Sequence, residues 1–418
     1  MTARDGRLPL ILVTSAFPYG SGEQFLETEI RHLAAAPFAI RVLPRRISGP
    51  ARPLPSGVIM DASLARQRGG PLRRARRATR LLGDAVRDLS APHGRPWQGW
   101  PTALKRLAIE LDSAVLFETC LGHLIESNSW SHGPCIIYSY WFVGALFGLF
   151  RLKQKHPHLK IVARAHGSDL YAEAHDPPYM PLRRRCVAML DRIYAVSEHG
   201  SAYLQERYGA APDKVQVARL GVDDPGRAAA PSDDGAIRVV SCSALNPLKR
   251  LHLLVHGLAY CARAHPETAF HWTHIGDGPL RPEIETLADA VLPPNVSRRF
   301  TGLVTNQAVL EHYRQQAVDV FVNVSASEGV PVSIMEAQSF GIPAVATAVG
   351  GVPEIVTPKT GRLLPPDPAP EAIAVALWDV AMRRPDRTAI RQQWRQRFCG
   401  AINYPAFAAS LQALAKES

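Results

Sequence analysis

The sequence has few cysteines, and they follow no pairing pattern. Six cysteines are scattered through 418 residues, and none of them stands in a Cys-x-x-Cys arrangement. A disulfide framework or a zinc site requires closer and more regular spacing. We therefore expect neither, and the composition favours a reducing compartment such as the cytoplasm.

Long apolar runs are also missing. The run from Leu8 to Phe17 is short, lacks a small-residue cleavage pattern and continues into a glycine-containing turn, so it predicts a first buried strand. The run from Trp141 to Phe150 has about half of the roughly 20 residues that a membrane-spanning helix needs. We therefore expect neither a signal peptide nor a transmembrane helix.

Acidic residues are missing from one segment. Between Leu64 and Gly83 the chain has seven arginines and no Asp or Glu, and this segment supplies much of the net charge of +11. Three interpretations are open: a solvated helix face, contact with anionic lipid or a lipid-linked pyrophosphate acceptor, and binding of nucleic acid. No aromatic residues alternate with the arginines, so nucleic acid is the least favoured and is not expected as a partner. The arginines are Arg66, Arg68, Arg73, Arg74, Arg76, Arg77 and Arg80.

The rest of the composition is that of a globular protein with two domains. Hydrophobic residues make up 46% and charged residues 20% of a chain that is too long for one ordinary core. Short apolar runs alternate with helical patterns, which predicts βαβ units and parallel sheets. No Gly-x-Gly-x-x-Gly opens either half, which disfavours a dinucleotide dehydrogenase. The predicted strands are Leu8 to Thr14, Ile40 to Leu43, Cys135 to Ser139, Lys160 to Ala165, Arg192 to Val196, Ile237 to Cys242, Phe270 to Ile275, Val318 to Val324 and Ala344 to Ala348.

This pattern predicts an α/β protein with two doubly wound, Rossmann-like domains facing across a cleft. Residues 226–236 are rich in Pro, Gly, Ala, Ser and Asp and predict a linker. The domains are placed at 1–225 and 237–385, and a helical tail at 386–418 is expected to pack back on the N-terminal domain. Because doubly wound sheets bind ligands at the carboxyl ends of their strands, the cleft is the expected site.

Residues Val318 to Val356 carry the clearest local signal. A buried strand is predicted to end near Val324, and a polar turn follows it. A helix is then predicted to begin at Pro331 and to stop at Gly341. A free helix N-terminus at the end of a strand is suited to binding an anion such as a diphosphate.

Two glutamates accompany this helix. Glu328 lies just ahead of it, and Glu336 lies eight residues later, about one helical turn inside. A carboxylate beside a phosphate site repels the ligand unless it faces hydroxyl donors, so the pair favours a sugar nucleotide, with ribose hydroxyls at Glu336. The alternative is that both glutamates only complement the helix dipole.

Several motifs of the chain are shared with a known family. They are EGVPVSIME from Glu328 to Glu336, the following FGIPAVATAVGGVPEIV, and GDGP from Gly276 to Pro279. With these motifs the chain resembles the retaining GT-B glycosyltransferases of the sucrose-synthase and mannosyltransferase-like family, family 4. SYW at Ser139 to Trp141 and LKRLHLL at Leu248 to Leu254 are similar to bacterial enzymes that assemble exopolysaccharides such as colanic acid.

The resemblance implies a donor site in the C-terminal half. Glu328 corresponds to the glutamate that contacts the hydroxyls of the donor sugar, and Glu336 to the one that holds the ribose. Lys249 corresponds to the lysine that neutralises the leaving diphosphate. Further donor contacts are implied for the backbone of the loop and helix and for GDGP, which would lie near the nucleoside: Gly276, Asp277, Gly278, Gly329, Val330, Val332 and Ser333.

The chain departs from the family pattern at two places. The family has an arginine five residues before the lysine, where this chain has Ala244. Arg250 is the candidate to replace it. The N-terminal loop of the family has Gly-Gly followed by Glu, and this chain has Ser21 to Glu23. Gly22 is the candidate diphosphate contact in that loop.

In the N-terminal half the resemblance points to a histidine. The segment Ala165 to Asp169 is similar to the His-Gly-x-Asp segment of the family, which implies that His166 reaches the donor sugar from across the cleft. Asp169 would order the loop and is also a candidate acceptor contact. Tyr140 and Trp141 follow another strand, and they either stack on acceptor sugar or are core aromatics.

The implied activity is transfer of a hexose from a nucleotide sugar to a lipid-linked or oligosaccharide acceptor, with retention of configuration and without a metal. The departing phosphate would take the proton of the acceptor. The enzyme would be cytoplasmic, with peripheral binding to the inner face of the membrane. Two rivals remain open: a GT-B epimerase or hydrolase of nucleotide sugars, and a catalytically silent GT-B subunit of an assembly complex.

Overall fold

The computed structural model describes residues 6–20, 22–67, 69–90, 99–128, 130 and 133–417. The chain divides into two compact units. The first unit comprises Met1–Ala218 and Tyr404–Ser418, and the second comprises Arg219–Asn403. Each unit is built around one parallel sheet.

The first unit contains a sheet of seven parallel strands. They are β1 Leu8–Thr14, β2 Phe38–Pro44, β3 Ile59–Met60, β4 Cys135–Ser139, β5 Leu159–Ala165, β6 Arg192–Ala195 and β7 Val215–Val217, in the order β3-β2-β1-β4-β5-β6-β7. Strand β1 lies in the interior of the sheet and has cores on both faces: Leu10 and Leu12 pack into one, and Ile11 and Val13 into the other. Burial on both faces explains why this strand is a continuous apolar run.

Helices cover both faces of this sheet. They are α1 Leu26–Ala35, α2 Ser63–Arg66, α3 Pro71–Ala78, α4 Leu82–Ser90, α5 Trp100–Ser127, α6 Leu149–Lys155, α7 Arg183–Met189 and α8 Glu198–Tyr208. Among the residues that the structure describes, no helix is both long enough and apolar enough to cross a bilayer.

The second unit contains a sheet of six parallel strands. They are β8 Ile237–Cys242, β9 Phe270–Ile275, β10 Val296–Phe300, β11 Val320–Asn323, β12 Ala344–Thr347 and β13 Gly361–Leu364, in the order β10-β9-β8-β11-β12-β13. The helices are α9 Leu251–Ala264, α10 Arg281–Val291, α11 Asn306–Gln315, α12 Val332–Ser339, α13 Pro370–Arg383 and α14 Arg387–Phe398, and α15 Gly400–Leu414 follows. The predicted α/β class with two doubly wound parallel sheets is confirmed.

Four strands were not predicted, and all four lie at the edges of the sheets. They are β3, β7, β10 and β13. Edge strands are not enclosed on both sides, and these have short or mixed sequences with exposed or half-buried residues. The apolar runs that reveal interior strands of a parallel sheet are therefore absent from them.

The division between the units differs from the predicted boundaries. The first unit ends at Ala218, ahead of the predicted linker 226–236, and only 404–418 of the predicted tail 386–418 belongs to it. The linker segment is hydrogen-bonded to the second unit: the N–H of Ser232 donates to the Asp319 carboxylate at 2.9 Å. Composition predicted the absence of regular structure there but could not predict this packing.

Candidate functional site

The strand order of the second sheet creates a natural ligand position. The chain runs from β8 to β9 and β10 on one side, and then returns to β11 on the other side of β8. The loops that follow β8 and β11 therefore lead away from each other, and open α/β sheets bind ligands at such a switch point. The loop after β8 contains Lys249, and the loop after β11 contains Glu328.

Lys249 and Glu328 form an ion pair that joins these two loops. The Lys249 ammonium lies 2.5 Å from Glu328 Oε1, and the side chains are 20% and 11% exposed. Asn323, the last residue of β11, donates its amide N–H to the same oxygen at 3.3 Å. The structure thus brings together two residues that the sequence analysis assigned to the leaving diphosphate and to the donor sugar.

Arg250 holds the loop after β11 in place. Its guanidinium donates to the carbonyl of Val324 at 2.9 Å, of Ser325 at 3.0 Å and of Pro366 at 2.7 Å. The Thr347 hydroxyl donates to the Ser325 carbonyl as well, at 2.6 Å. These contacts favour a positioning role for Arg250 over the predicted role as a diphosphate ligand, because most of its donors point at backbone carbonyls.

Helix α12 presents the N-terminus that the sequence predicts. It begins at Val332 with Pro331 as its N-cap residue, and no side chain in the described part of the chain caps it. Gly341 follows its last turn with a φ of +73°, a conformation that favours glycine. Val332 and Ser333 are half-buried. Their first-turn N–H groups are therefore left for an anionic ligand.

Glu336 lies one turn inside this helix and is 7% exposed. The Asn306 amide donates to its Oε1 at 2.5 Å. Burial raises the pKa of Glu336 to about 7, and the hydrogen bond from Asn306 opposes that rise. A carboxyl that only complemented a helix dipole would lie exposed in the first turn, so the geometry does not support the dipole-only interpretation.

The GDGP segment packs closely against the loop that follows β8. A Cβ atom on Gly276 would lie 2.0 Å from the Ser243 carbonyl oxygen, and one on Gly278 would lie 2.4 Å from that of Leu245. These two glycines therefore permit a close approach to the loop after β8, and the place of GDGP near the nucleoside stays a prediction. The Asp277 carboxylate lies 3.2 Å from the guanidinium of Arg281.

Three asparagines near the site were not predicted. Asn246 accepts the N–H of Lys249 at 3.3 Å, and Asn306 and Asn323 bind the two glutamates. Each stands at the end of a strand or the beginning of a helical turn, where asparagine is common for local reasons. Ala244 is exposed in the same loop and adds no charge.

The switch point of the first sheet, between β1 and β4, is occupied by Glu23. Its carboxylate accepts the N–H groups of residues 15–17 at 2.9, 2.7 and 2.7 Å, and the indole N–H of Trp141 at 2.5 Å. The Gly22 carbonyl accepts from Arg52 at 2.5 Å. Ser21, part of the predicted loop motif, lies outside the described residues. The N–H groups of residues 15–17 are thus used by the chain itself.

His166 is buried at the end of β5 with a defined proton position. Its Nε2 lies 3.0 Å from the Tyr140 carbonyl, which can only accept, so Nε2 carries the proton and Nδ1 is the acceptor. Burial lowers the pKa of His166 to about 3, and the nearby Arg164 adds to this. The imidazole is therefore neutral at physiological pH.

Asp169 orders the loop that contains His166. One carboxylate oxygen accepts the N–H of His166 at 2.7 Å and the other that of Phe142 at 2.8 Å. Burial raises the pKa of Asp169 to about 7. Because Asp169 is only 7% exposed and its two oxygens bind backbone, the candidate role as an acceptor contact is not supported by this geometry.

The two aromatic candidates differ from each other. Tyr140 is completely buried, and its ring lies 4.7 Å from that of His166, so the core interpretation applies and stacking on an acceptor is wrong for it. Trp141 is half-buried and remains an acceptor candidate, with its indole N–H held by Glu23.

Two family profiles match the chain. One is described as "Glycosyl transferases group 1" and matches residues 236–382. The other is described as "Glycosyltransferase Family 4" and matches residues 122–224. Together the two matches cover more than half of the chain.

Related sequences match over part of their length. The putative colanic acid biosynthesis glycosyltransferase WcaL of Escherichia coli is 29% identical over 224 residues, which are 50% of this chain and 52% of that protein. The D-inositol 3-phosphate glycosyltransferase of Kribbella flavida is 30% identical over 225 residues, 49% of this chain and 53% of that protein. The chain therefore spans about half the length of the curated relatives it matches.

Solved structures match over nearly the whole chain. The lipopolysaccharide outer core galactosyltransferase WaaB has a TM-score of 0.69 and 15% identity, covering 97% of this chain and 99% of that one. HepE from Anabaena, solved with UDP and glucose, has a TM-score of 0.62 and 15% identity, covering 97% and 100%. At these identities the likeness shows the fold. With the two profile matches, it shows that the chain belongs to the GT-B glycosyltransferases of family 4, and the sequence match to the colanic acid protein relates it to enzymes of exopolysaccharide assembly.

Proposed function

We propose that this chain transfers a hexose from a nucleotide-sugar donor to a saccharide acceptor with retention of anomeric configuration. The observation that carries the proposal is the ion pair between Lys249 and Glu328 at the switch point of the second sheet. The pair combines a cation for a diphosphate with a carboxylate for sugar hydroxyls. Glu328 belongs to the loop after β11, which leads directly into the N-terminus of α12.

Three parts of the second unit recognise three parts of the donor in this proposal. Glu336 accepts hydrogen bonds from the ribose hydroxyls, and charge-assisted hydrogen bonds of this kind contribute about 1.5 to 3 kcal/mol each. The N–H groups of Val332 and Ser333 bind the diphosphate together with Lys249. Glu328 accepts from hydroxyls of the sugar and keeps the Lys249 ammonium oriented.

The chemical step breaks the bond between the anomeric carbon and the diphosphate oxygen, and an acceptor hydroxyl forms the new bond. The diphosphate leaves with the electron pair and takes the proton of the acceptor. Lys249 and the helix N-terminus stabilise the charge that develops on the leaving oxygen, and such preorganised donors commonly contribute the largest share of catalysis. Arg250 positions the loop that carries Glu328.

His166 contributes a neutral hydrogen bond in this proposal. Its proton is held on Nε2 by the Tyr140 carbonyl, so Nδ1 accepts from a hydroxyl of the donor sugar. Its pKa of about 3 makes it a poor general base at neutral pH. The side chain therefore serves sugar binding, and proton transfer falls to the leaving phosphate.

The acceptor is proposed to be a lipid-linked saccharide of exopolysaccharide or cell-surface glycan synthesis. The support is the naming of relatives for colanic acid and amylovoran biosynthesis. No metal takes part in the proposed step. Activity is therefore expected to survive a chelator, and a loss in EDTA that a divalent ion restores would contradict this part.

The test begins with thermal unfolding in the presence of individual nucleoside diphosphates and nucleotide sugars, since a ligand of the folded state raises the melting temperature. The stabilising nucleotide sugar is then incubated with a polyprenyl-diphosphate-linked saccharide, and the products are identified by mass spectrometry. We expect a glycosylated lipid and a free nucleoside diphosphate. Glu336→Gln should remove the thermal shift, and Glu283→Gln, an exposed position on α10, should preserve it.

Each rival predicts a different outcome. Release of free sugar without transfer would make the chain a hydrolase, and a changed sugar configuration in the nucleotide sugar would make it an epimerase. No stabilisation by any nucleotide sugar would favour a catalytically silent subunit and would reject the proposal.

A further inference from the structure

The helical segment Pro71–Ser90 has an outward surface that the candidate site does not use. Helix α3, a 3₁₀ turn at Thr79–Leu81 and helix α4 follow one another with right-handed helical backbone throughout. Its inward side is anchored, because Leu81 and Ala85 are buried in the core of the first unit. The outward side is therefore held in a fixed orientation.

One row of this outward side is apolar. Leu72 is 89% exposed, Leu82 59% and Val86 65%, which places them among the most exposed large hydrophobic side chains of the described residues. Ala75 and Thr79 are exposed between them. The spacings along the row are three or four residues, which puts these side chains on one helix face. We call the exposed residues Leu72, Ala75, Thr79, Leu82 and Val86 the apolar row.

A second row beside it carries positive charge. Arg76, Arg80 and Arg87 are exposed and follow each other at spacings of four and seven residues, so they flank the apolar row along one side. None of the three forms an ion pair with any residue that the structure describes. We call them the arginine row.

Two further arginines of the segment, Arg74 and Arg77, are paired with an acid. Arg74 and Arg77 lie 3.3 and 2.7 Å from the carboxylate of Asp112, which is buried. Arg68 and the side chain of Arg73 lie outside the described groups. Arg74 and Arg77 are therefore left out of the arginine row, which extends to Arg87, beyond the arginine-rich segment.

The acidic residues of α4 are directed inward. Asp84 pairs with Arg185 at 2.7 Å. Asp88 accepts from the Tyr179 hydroxyl at 2.5 Å and from the N–H of Leu182. With its acids occupied in this way, the outward side combines exposed apolar side chains with uncompensated positive charge.

We infer that this surface binds the face of an anionic lipid bilayer, with the apolar row inserted among the acyl chains and the arginine row against lipid phosphates. This combination is what interfacial amphipathic helices use, and each part alone binds weakly. A polyanion such as nucleic acid would be matched by the arginines but would leave the leucines and valine in water. The inference does not depend on the proposed donor chemistry, because none of these residues belongs to the candidate site.

The test is cosedimentation of the full chain with vesicles of phosphatidylcholine alone and of phosphatidylcholine mixed with phosphatidylglycerol. We expect binding to the mixed vesicles that weakens with added salt. Replacing the arginine row by glutamine, or Leu72, Leu82 and Val86 by serine, should each weaken that binding by roughly tenfold or more. The matched control is Val375→Ser with Met382→Ser, two exposed apolar positions of α13, which should bind as the unaltered chain does.

Thermal melting of each variant separates surface effects from folding, since all altered side chains are exposed. Equal binding by the unaltered chain and both surface variants would overturn the inference, as would a failure of the unaltered chain to bind anionic vesicles. Sedimentation velocity without lipid provides a further check. Self-association that the serine variant abolishes would assign the apolar row to a second copy of the chain instead.

Discussion

The ammonium of Lys249 lies 2.5 Å from a carboxylate oxygen of Glu328, across the point where the second sheet reverses its strand order. The two residues are far apart in the chain and are adjacent only because β8 and β11 are neighbouring strands. The ion pair couples the two proposed roles, the binding of the diphosphate by Lys249 and of the sugar hydroxyls by Glu328. Loss of either partner is therefore expected to change the orientation of the other.

Lys249→Met is expected to lower kcat by about 100- to 1,000-fold, because charge on the leaving diphosphate is then not neutralised. Glu328→Gln should also lower kcat. The double variant should lose less activity than the two single effects combined, because each single change already breaks the same ion pair. The measurement is a steady-state double-mutant cycle. Lys153→Met, which breaks the 2.6 Å pair with Asp191 in the first unit, is the control and should leave kcat unchanged.

Glu336→Gln is expected to weaken donor binding and to change stability with a defined pH dependence. Burial raises the pKa of Glu336 from 4.5 to about 7, so between these values the folded chain keeps a proton that the unfolded chain has lost. The contribution of Glu336 to the free energy of unfolding therefore decreases as pH rises through this window. The free energy of unfolding of the glutamine variant should therefore rise relative to that of the parent as the pH increases to about 7. Above that pH the difference should stay constant, on the order of 3 kcal/mol.

Urea unfolding at a series of pH values measures this difference, and calorimetry with the donor measures affinity on the same samples. Donor affinity of the parent should rise toward pH 7, since ribose hydroxyls bind the carboxylate form. A stability difference that does not vary with pH would show that Glu336 does not titrate in this window.

His166→Asn is expected to reduce kcat/KM without altering the shape of its pH profile. The pKa of about 3 keeps the imidazole neutral throughout the working range, so its contribution is one hydrogen bond of about 0.5 to 1.5 kcal/mol. This corresponds to roughly a two- to tenfold loss. A profile limb between pH 6 and 7 that the variant lacks would instead assign acid–base chemistry to His166.

Arg250→Lys should behave like Arg250→Ala, because a lysine keeps the charge but cannot reach the carbonyls of Val324, Ser325 and Pro366 together. Both variants should lower kcat. Thr347→Val, which removes the other donor to the Ser325 carbonyl, should lower it in the same direction. Nucleoside diphosphate affinity, measured by calorimetry, should change little. Preserved activity in the lysine variant would restore the predicted role as a diphosphate cation.

Ala244→Arg is expected to strengthen binding of nucleoside diphosphates. The residue is exposed in the loop after β8 that also carries Lys249, and the added guanidinium supplies the cation that the family has at this position. The gain should decrease with salt. Ala244→Gln has a long polar side chain without charge and is the control, and equal affinities of the two variants would contradict a charge effect.

The amino-acid sequence by itself determined the interior of both sheets and the segment from β11 through α12. Interior strands are recognisable because burial on both faces requires continuous apolar runs. Helix α12 is recognisable because a proline marks its beginning and a glycine its end. Glu328 and Glu336 could be predicted as site residues in the same way, because their proposed chemistry depends on the adjacent end of α12. Each of these features is encoded locally.

Tertiary structure alone decided which side chains form hydrogen bonds or ion pairs within the protein and which become buried. Arg250 is directed to backbone carbonyls, Tyr140 is enclosed, and Glu23 occupies the N–H groups after β1. In the arginine-rich segment, Asp112 takes up Arg74 and Arg77, while Arg76 and Arg80 face outward. These outcomes depend on residues that are distant in sequence and meet only when strands and helices pack, so no local pattern of charge or hydrophobicity could distinguish a paired arginine from a free one.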